Sequence, residues 1–409
     1  MAKQEQQQQA LVEYFAQGCK AEGCLRLGLE AEHFVTHEDG EPLSFEEVQE
    51  LMHAMQPEEA QELLVDQLYM GYAAPEYTVT LEPACQLEIS VAPQTEIAEM
   101  MRIYTAFCTQ LQQVLKARGM RFHNVGYHPT RRADALPLIP KIRYEAMDRY
   151  FQKIGPRGRQ MMRATASTQI SIDYSSEADC IQKLRAAVLL TPLFALLTDH
   201  APTFERAPNH TPSVRTEIWQ AVDPDRCGVP PLLFAQDYGF AQYAQGVLRC
   251  PQIVALRDGR IRAVGKKSAL DLYGAQLDRT EIEQILSMVF YDVRLKSYIE
   301  IRAADCMPAE YIAAYAQLIK CVFGSPAALQ NVLRHYRGMT AVDVIAAKTA
   351  VCRDGFQAWT YGRPVASECA WLLAQARSRA ANAEARALLQ PLVTLVNNKR
   401  TLREELLSR

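Results

Sequence analysis

Residues 25–32 read LRLGLEAE, in which apolar and polar positions alternate with a period of two. Three further stretches, 77–90, 164–173 and 293–302, follow the same pattern. Alternation with this period is typical of strands that pack one face on a core and leave the other face open. We therefore predict a sheet built from these four stretches, with charged and amide side chains on its open face.

The composition is that of a globular protein and indicates neither a nucleic acid nor a membrane as a partner. The 409 residues include 44 Lys and Arg against 47 Asp and Glu, a formal charge of −3, so no basic nucleic-acid surface is expected. No apolar run approaches the roughly 20 residues of a membrane helix, and the N-terminus lacks a signal-peptide core. The eleven cysteines show no C-x-x-C pair or zinc spacing, which is typical of reduced thiols. We expect a cytoplasmic protein.

Helix signals separate the predicted strands. Apolar residues recur at steps of three and four over 95–119, and the capping patterns Ser44-x-x-Glu47 and Ser176-x-x-Asp179 open two more helices. Residues 119–160, which are rich in Pro, Arg and Tyr, are predicted as a long ordered loop or a loop–helix segment. Residues 201–232, which are rich in proline, are predicted as a loop.

The end of the chain, from Pro308, reads as almost wholly helical. Neither an internal repeat nor a flexible linker is visible. The sequence therefore predicts one unit over residues 1–409, with a helical C-terminal region over 308–409 inside it.

Carboxylates are grouped on the predicted open face. Glu30 and Glu32 are i, i+2 neighbours, so both project from the same side of a strand. Two like charges this close repel unless a cation lies between them or one proton is retained. Oxygen ligands suit Mg²⁺ or Mn²⁺, and Glu82, Glu88 and Glu300 could complete the ligand set. The alternative is a solvated face rich in Glu.

Basic residues accompany the last of these carboxylates. Arg302, Lys296 and Arg294 are predicted on the face of Glu300, where a cation can hold a phosphate and neutralise charge during phosphoryl transfer. A structural salt bridge across neighbouring strands is the alternative. The chain has neither a Gly-x-x-x-x-Gly-Lys-Ser/Thr loop nor a Gly-x-Gly-x-x-Gly turn, so ATP would be held by side chains and metal ions on the sheet.

Arg215 and Trp219 lie in SVRTEIWQAVDPDRCG, a segment predicted as a loop. An Arg in a loop can bind an α-carboxylate through two hydrogen bonds, and a nearby aromatic ring can form a wall of the same pocket. A buried Trp with the Arg stacked on it explains the pair equally well. The histidines and cysteines show no pairing typical of a nucleophile, and none is assigned to catalysis.

The motifs around these residues resemble the plant-type glutamate–cysteine ligases, a family shared by plants and many bacteria. The matching blocks are GLEAEHF (28–34), LEPACQLEIS (81–90), Pro140-Lys141-x-Arg143-Tyr144 with Met147, Met161-Met162 with Thr165, Gln169 and Asp173, Arg215 with Trp219, Asp223, Arg226 and Gly228, and RLKSYIEIR (294–302). The blocks run in order from about Gly18 to Asp305.

This resemblance implies an α+β fold, in which a curved, largely antiparallel six-stranded sheet forms an active-site funnel with helices outside. Such a sheet is related to the catalytic fold of glutamine synthetase. The resemblance also implies a ligase that uses ATP to phosphorylate the γ-carboxylate of L-glutamate, after which the amine of L-cysteine attacks the acyl phosphate. The product, γ-glutamylcysteine, belongs to glutathione biosynthesis, and the protein is expected to be a monomer or a homodimer.

The resemblance also implies roles for individual residues. The Mg²⁺ carboxylates would be Glu30, Glu32, Glu82, Glu88 and Glu300. Arg302 and Lys296 would face the phosphates. The amino-acid pocket would be lined by Arg215, Trp219 and Thr165, with Gln169 as a further polar group.

The chain departs from its relatives at Ala84-Cys85, where Gly-Gly or Gly-Ala commonly follows Glu-Pro, and at Ser171, where Asn is frequent. A Cβ in this turn constrains the backbone and can shrink the pocket. Two alternatives therefore stay open. One is a γ-glutamyl ligase with another amine or amino acid as acceptor, and the other is a catalytically silent nucleotide or amino-acid sensor on the same scaffold.

Overall fold

The computed structural model describes residues 2–23 and 25–407. In chain order its strands are β1 (Leu27–His37), β2 (Gln61–Val65), β3 (Leu68–Ala73), β4 (Tyr77–Leu81), β5 (Leu87–Gln94), β6 (Met120–His123), β7 (Ser167–Ile172), β8 (Thr203–Phe204), β9 (Ala207–Pro208), β10 (Cys227–Gly228), β11 (Pro251–Arg257), β12 (Arg260–Ser268), β13 (Phe290–Tyr291), β14 (Val293–Leu295), β15 (Ile299–Asp305), β16 (Trp359–Thr360) and β17 (Arg363–Pro364).

The main sheet is antiparallel throughout. Within the described residues it has nine strands, in the order β14-β15-β7-β1-β5-β4-β3-β2, and β6 pairs with the far end of β1. The expected α+β class is confirmed. The sheet is larger than the six strands that the resemblance implied, because the hairpin β2–β3 extends one edge and β6 adds to β1.

The alternation in residues 25–32 fixes the two faces of the central strand β1, which pairs with β5 on one side and β7 on the other. Leu27, Leu29 and Ala31 are fully buried in the core, while Glu30 and Glu32 project from the opposite face. Each buried Leu stabilises the fold by about 1.5–3 kcal/mol. A register shift of one residue would turn these side chains outward, so the apolar face fixes the register.

The fourth predicted strand, 293–302, is a hairpin rather than one strand. The chain reverses after β14, where the backbone N–H of Lys296 donates to the carbonyl of Tyr298 at 2.8 Å. The returning strand β15 places Glu300 directly opposite Arg294. The basic residues therefore reach Glu300 from across a strand pair, which a period of two along one strand could not reveal.

The α-helices are α1 (Lys3–Gln17), α2 (Phe45–Met55), α3 (Ile97–Lys116), α4 (Ile142–Ile154), α5 (Glu177–Leu197), α6 (Val214–Gln220), α7 (Phe240–Arg249), α8 (Ala269–Leu272), α9 (Arg279–Leu286), α10 (Ala309–Phe323), α11 (Pro326–His335), α12 (Ala341–Asp354), α13 (Val365–Arg379), α14 (Ala383–Leu388), α15 (Gln390–Asn398) and α16 (Leu402–Leu407). Both predicted capping residues are used, since Ser44 and Ser176 accept hydrogen bonds from the backbone N–H groups of Glu47 and Asp179.

The central helix α5 corrects one statement made from the sequence. Its 21 residues are long and apolar enough to cross a membrane by length and composition, although no such run was expected. Nearly nine tenths of its most apolar stretch is buried inside the protein, where it packs on β15, α11 and α12. A helix that is apolar all round is typical of such an enclosed position.

The segment 119–160, predicted as a long ordered loop or a loop–helix segment, contains β6 and α4. Tyr144, Met147 and Phe151 are buried on one face of α4 at helical spacing. The structure thus agrees with the loop–helix alternative, and the short strand β6 was not expected.

The C-terminal region is helical from α10 to α16, as predicted, apart from the short hairpin β16–β17. One continuous cluster of buried apolar side chains joins this region to the sheet. The assignment of the whole chain to one unit stays a prediction.

Candidate active site

A cavity of about 480 Å³ opens on the polar face of the sheet. Ten of the eleven residues for which the resemblance implied roles line it: Glu30, Glu32, Glu82, Glu88, Thr165, Gln169, Arg215, Trp219, Lys296 and Arg302. The remaining one, Glu300, is fully buried beside it. The open faces of distant strands thus converge on a single site.

Four carboxylates reach the cavity from three strands or their ends. Glu30 and Glu32 project from β1, and Glu88 on β5 lies directly opposite Glu32. Glu82 follows the last residue of β4, at the start of the turn to β5. One oxygen of Glu88 accepts a hydrogen bond from the hydroxyl of Thr80 at 3.0 Å. The antiparallel register therefore gathers the glutamates that the sequence grouped only by pattern.

These four carboxylates are electrostatically crowded. Burial raises the pKa of Glu88 well above its usual range, and repulsion from Glu82, Glu30 and Glu32 raises it further. Burial and then repulsion from Glu32 raise the pKa of Glu82 to about 7. A divalent cation would relieve this repulsion, and carboxylate oxygens are ligands that Mg²⁺ and Mn²⁺ prefer. The chemistry of the donor set therefore fits a divalent metal.

The metal site itself stays a prediction. Over residues 2–23 and 25–407, no three His, Cys, Asp or Glu side chains converge closely enough to form a ready-made metal cluster. What favours a cation is the shared burial and mutual repulsion of carboxylates around one cavity.

Replacing Glu82 with Gln is expected to change how stability depends on pH. The folded-state pKa of Glu82 is about 7 and its ordinary value is 4.5, so the folded protein binds the extra proton and its free energy of unfolding falls as pH rises through this interval. Gln cannot bind this proton, so the free energy of unfolding of the variant does not fall for this reason. Between about pH 5 and pH 8 it should lose roughly 2 kcal/mol less than the wild type. Urea unfolding with a chelator present measures this difference, and parallel curves would contradict it.

Glu300 differs from the other four glutamates because three cations surround it. Arg294 donates to it from Nε at 2.8 Å and from Nη2 at 3.1 Å, Lys296 from Nζ at 3.0 Å, and Arg302 from Nη1 at 2.8 Å. Burial alone would raise the pKa of Glu300, but these cations hold it well below its usual range.

The oxygens of Glu300 are therefore engaged in ion pairs, which is the salt-bridge alternative left open by the sequence. The geometry does not favour the metal-ligand role that the resemblance implied for Glu300. It favours a role in holding Lys296 and Arg302 at the cavity.

Gln169 connects the carboxylates to the cations. Its Nε2 donates to Glu32 at 3.2 Å, and its Oε1 accepts from Nη1 of Arg302 at 2.6 Å. Glu32 also accepts a hydrogen bond from the backbone N–H of Ser167 at 2.7 Å. This chain of hydrogen bonds fixes the distance between a candidate metal ligand and a candidate phosphate-binding cation.

Arg215 and Trp219 lie on the short helix α6 rather than in a loop. Two guanidinium groups lie near the Trp219 ring, that of Arg215 at 5.6 Å and that of Arg302 at 5.8 Å from its centre. Arg215 is buried, and its Nη1 has no hydrogen-bond partner among the described residues. Because a buried unpaired donor is costly, this nitrogen is suited to an anionic ligand. The sequence left two alternatives for Arg215, stacking on Trp219 and binding an anion. The structure is compatible with both at once.

Thr165 lines the cavity at the end of a π-helical segment, Gln160–Ala164, a feature that is frequent at functional sites. Its hydroxyl donates to the carbonyl of Met161 at 2.7 Å. The side-chain amide of Gln86 donates to the carbonyl of Thr165 at 3.3 Å. This ties the turn before β5 to the wall of the cavity.

Two cations of the cavity, Lys141 and Arg143, were not assigned a role from the sequence. Both lie at the start of α4 and line the site. Arg143 donates to the hydroxyl of Ser287 at 2.7 Å and to its carbonyl at 2.9 Å. Burial lowers the pKa of Lys141, and the nearby carboxylate of Glu82 opposes that shift. Both residues belong to the block Pro140-Lys141-x-Arg143-Tyr144 that resembles the family, and this could have indicated a role for them. Only the fold brings them close to the carboxylates.

The departure at Ala84-Cys85 affects the backbone of the turn between β4 and β5. Cys85 has a φ of +63°, in the left-handed region that favours glycine, and its thiol is buried. Its neighbours Pro83 and Gln86 line the cavity, whereas neither Ala84 nor Cys85 is among the lining residues described. The expected constraint on the turn is present, and whether the turn narrows the pocket stays a prediction.

The fold is shared with a known ligase. A crystal structure of glutamate–cysteine ligase from Francisella tularensis in complex with AMP matches 94% of this chain and 84% of its own, with a TM-score of 0.61 and 11% sequence identity. The family model described as glutamate-cysteine ligase family 2 matches residues 26–409. The chain belongs to this family, which confirms the resemblance seen in the motifs.

Curated plant relatives agree with this assignment. The chloroplastic glutamate–cysteine ligase of Brassica juncea is 32% identical over 316 residues, covering 74% of this chain and 61% of the relative. Those of Arabidopsis thaliana and Medicago truncatula are 31% and 30% identical, covering 74% and 80% of this chain and 60% and 66% of the relatives. The chain thus spans about three fifths of the length of the first two.

The expected cytoplasmic location is wrong by the same comparison, because these plant relatives are all named as chloroplastic enzymes. The expectation depended on an N-terminus without an apolar core and on unpaired cysteines. All ten cysteines that the structure describes are indeed free. Neither feature distinguishes the cytoplasm from an organelle with reduced thiols.

Proposed function

We propose that this protein is an ATP-dependent ligase that joins the γ-carboxylate of L-glutamate to the amine of L-cysteine, giving γ-glutamylcysteine, ADP and phosphate. The observation that carries the proposal is one cavity lined by four crowded carboxylates, by Arg302 and by Arg215, whose buried Nη1 has no hydrogen-bond partner among the described residues. The names of the plant relatives support the substrate pair. The product would serve glutathione biosynthesis.

Four glutamates would hold Mg²⁺, or Mn²⁺ in its place: Glu30, Glu32, Glu82 and Glu88. Bound there, divalent ions would offset the negative charge of the ATP phosphates and of the glutamate γ-carboxylate. Because burial and mutual repulsion raise the pKa values of Glu82 and Glu88, metal binding would compete with protons for these two side chains.

Arg302 and Lys296 would contact the phosphates of ATP. Glu300 holds both side chains at the cavity wall through bonds of 2.8 Å and 3.0 Å. Because they are in place before substrate binds, they can stabilise the charge of the transferring phosphoryl group with little reorganisation. The reaction then needs no nucleophile from the protein, since the amine of the second substrate attacks the γ-glutamyl phosphate.

Arg215 would bind the α-carboxylate of glutamate through its free Nη1, with Trp219 as the wall of the pocket and Thr165 at its edge. A charge-assisted hydrogen bond to a buried guanidinium fixes the orientation of a small substrate. It would leave the γ-carboxylate directed away from Arg215, toward the glutamates of β1 and β5.

The direct test is ADP release by the purified protein with Mg-ATP and glutamate, adding cysteine, 2-aminobutyrate or other amino acids singly. Stimulation by cysteine and by its isostere 2-aminobutyrate is expected. Stimulation by a different amine alone would keep the phosphoryl chemistry and change the acceptor. Binding of Mg-ATP in a calorimeter without ADP release under any condition would instead favour the silent sensor.

Replacing Cys85 with Gly is expected to leave acceptor preference unchanged. The Cys85 side chain does not reach the cavity, so its removal alters the turn but not the space available to the acceptor. The ratio of kcat/KM for cysteine to that for 2-aminobutyrate should agree with the wild type within about twofold. A shift of preference to another amine would show that the turn controls the acceptor site and would revive that alternative.

A further inference from the structure

Behind Arg215 lies a second, much smaller cavity of about 20 Å³ that the proposed chemistry does not use. Arg215, Trp219 and Arg302 separate it from the main cavity and line both. Asp292 and Lys348 complete its far wall. Lys348 belongs to α12 of the C-terminal helical region, which has no side chain in the main cavity among the lining residues described.

Asp292 is fixed at this position by its backbone. It lies between β13 and β14, where its N–H donates to the carbonyl of Gly228 at 2.9 Å and its carbonyl accepts from the N–H of Arg302 at 3.1 Å. Its carboxylate forms an ion pair with Nζ of Lys348 at 2.5 Å, and both side chains are almost completely buried. In the part of the chain that is described, Lys348 is the one side chain hydrogen-bonded to this carboxylate.

Asp292 is also within electrostatic reach of Arg215. Burial lowers the pKa of Arg215, and the anions that oppose this shift are Glu32, Asp305 and Asp292. The first two each accept a backbone hydrogen bond, although Oδ1 of Asp305 has no partner among the described residues. Glu32 accepts from the backbone N–H of Ser167 and Asp305 from that of His200 at 2.8 Å. The carboxylate of Asp292, by contrast, has Lys348 as its one hydrogen-bond partner among the described side chains.

We propose that Lys348 is a positioning residue of the glutamate pocket, which occupies the carboxylate of Asp292 and so keeps Nη1 of Arg215 free for the substrate carboxylate. This inference depends on the proposed role of Arg215 in binding glutamate. Without Lys348, Asp292 would be a buried unpaired anion beside a buried guanidinium with an unused donor. The two would pair, because each otherwise bears the cost of an unsatisfied buried charge.

Through Lys348 on α12, the C-terminal helices would take part in substrate binding. α12 packs against α5 and α6, and α6 carries Arg215 and Trp219. Lys348 therefore extends from a helix that lies outside the sheet to the back of the substrate pocket. A purely structural ion pair would stabilise this packing equally well, so the test must separate substrate affinity from stability.

The experiment compares K348M, D292N and the double variant K348M/D292N in steady-state assays of ADP release with glutamate varied. K348M should raise KM for glutamate about tenfold or more, the worth of one charge-assisted hydrogen bond, and change kcat far less. D292N should leave KM near the wild-type value, since it removes the competing anion. The double variant should restore KM for the same reason. Both single variants should melt at lower temperature than the wild type, because D292N leaves the buried Lys348 unpaired and K348M loses the ion pair between Lys348 and Asp292.

A wild-type KM in K348M would overturn the proposal, and so would a double variant whose KM stays as high as that of K348M. The second result would mean that the charge of Lys348 itself attracts the substrate. If K348M does not fold, the double variant still decides, because it buries no unpaired charge and must show a KM near the wild type. Wild-type protein that releases no ADP with glutamate would reject the proposed function, and this inference with it.

Discussion

Replacing Arg302 with Ala is expected to lower kcat for ADP release with glutamate and cysteine by about a thousandfold or more. The guanidinium group is held in the cavity by Glu300 at 2.8 Å and Gln169 at 2.6 Å, so its charge is already in place for the transferring phosphoryl group. The fold should persist, because Glu300 keeps Arg294 and Lys296 as partners.

Stopped or continuous assays of ADP release with saturating Mg-ATP would measure this effect, with circular dichroism as the check on folding. Arg302→Lys should lie between the wild type and the Ala variant, since Lys keeps the charge but lacks the planar fork that contacts two partners. A matched control is Arg102→Ala on α3, where a half-exposed Arg pairs with Glu76 and Glu99 away from the cavity. Near-normal turnover by Arg302→Ala would count decisively against a phosphate-binding role.

The second large effect is expected for Glu30→Gln, which should reduce activity about a hundredfold at a fixed concentration of Mg²⁺. Burial and repulsion from Glu300 raise the pKa of Glu30. The charged form of this carboxylate is therefore destabilised, and a bound divalent cation would stabilise it. Gln has the same size but no charge, and it cannot compensate a divalent ion. The activity that remains should require a higher concentration of Mg²⁺.

A titration of ADP release with Mg²⁺ at constant ATP tests this expectation. Glu62→Gln offers a matched control, because it makes the same substitution at an exposed position of β2, at the far edge of the sheet. In the presence of a chelator, Glu30→Gln should unfold at the same temperature as the wild type or a higher one, since it removes a repelling charge. A Mg²⁺ dependence identical to that of the wild type would remove Glu30 from the metal site.

Local patterns in the sequence were sufficient to predict the open face of the sheet and its carboxylates. Glu30 and Glu32 lie on one side of β1 because side chains in a strand alternate, and the fully buried Leu27 and Leu29 hold them there. The same reasoning placed Glu88 on β5. The identities of the substrates came from the family resemblance, since no spacing of residues indicates glutamate or cysteine.

Other features needed the three-dimensional structure. The hairpin at Lys296–Tyr298 converts one apparent strand into two, so that Arg294 meets Glu300 across the pair. The sequence left open whether Glu300 binds metal or cations, because both uses need the same carboxylate on the same face. Lys141 and Arg143 come to the cavity from the start of α4, whose position within the segment predicted as a loop or a loop–helix segment was not given by the sequence.

The sequence by itself determined which side chains face the open side of the sheet, since apolar and polar periodicity is set residue by residue and enforced by burial of the core face. Only the tertiary structure decided how each of these side chains is used. Burial and mutual repulsion raise the pKa values of Glu82 and Glu88, three cations surround Glu300, and Arg215 keeps an unpaired nitrogen. These differences arise because burial and the distance to other charges depend on strand register and helix packing, and residues far apart in the chain set both.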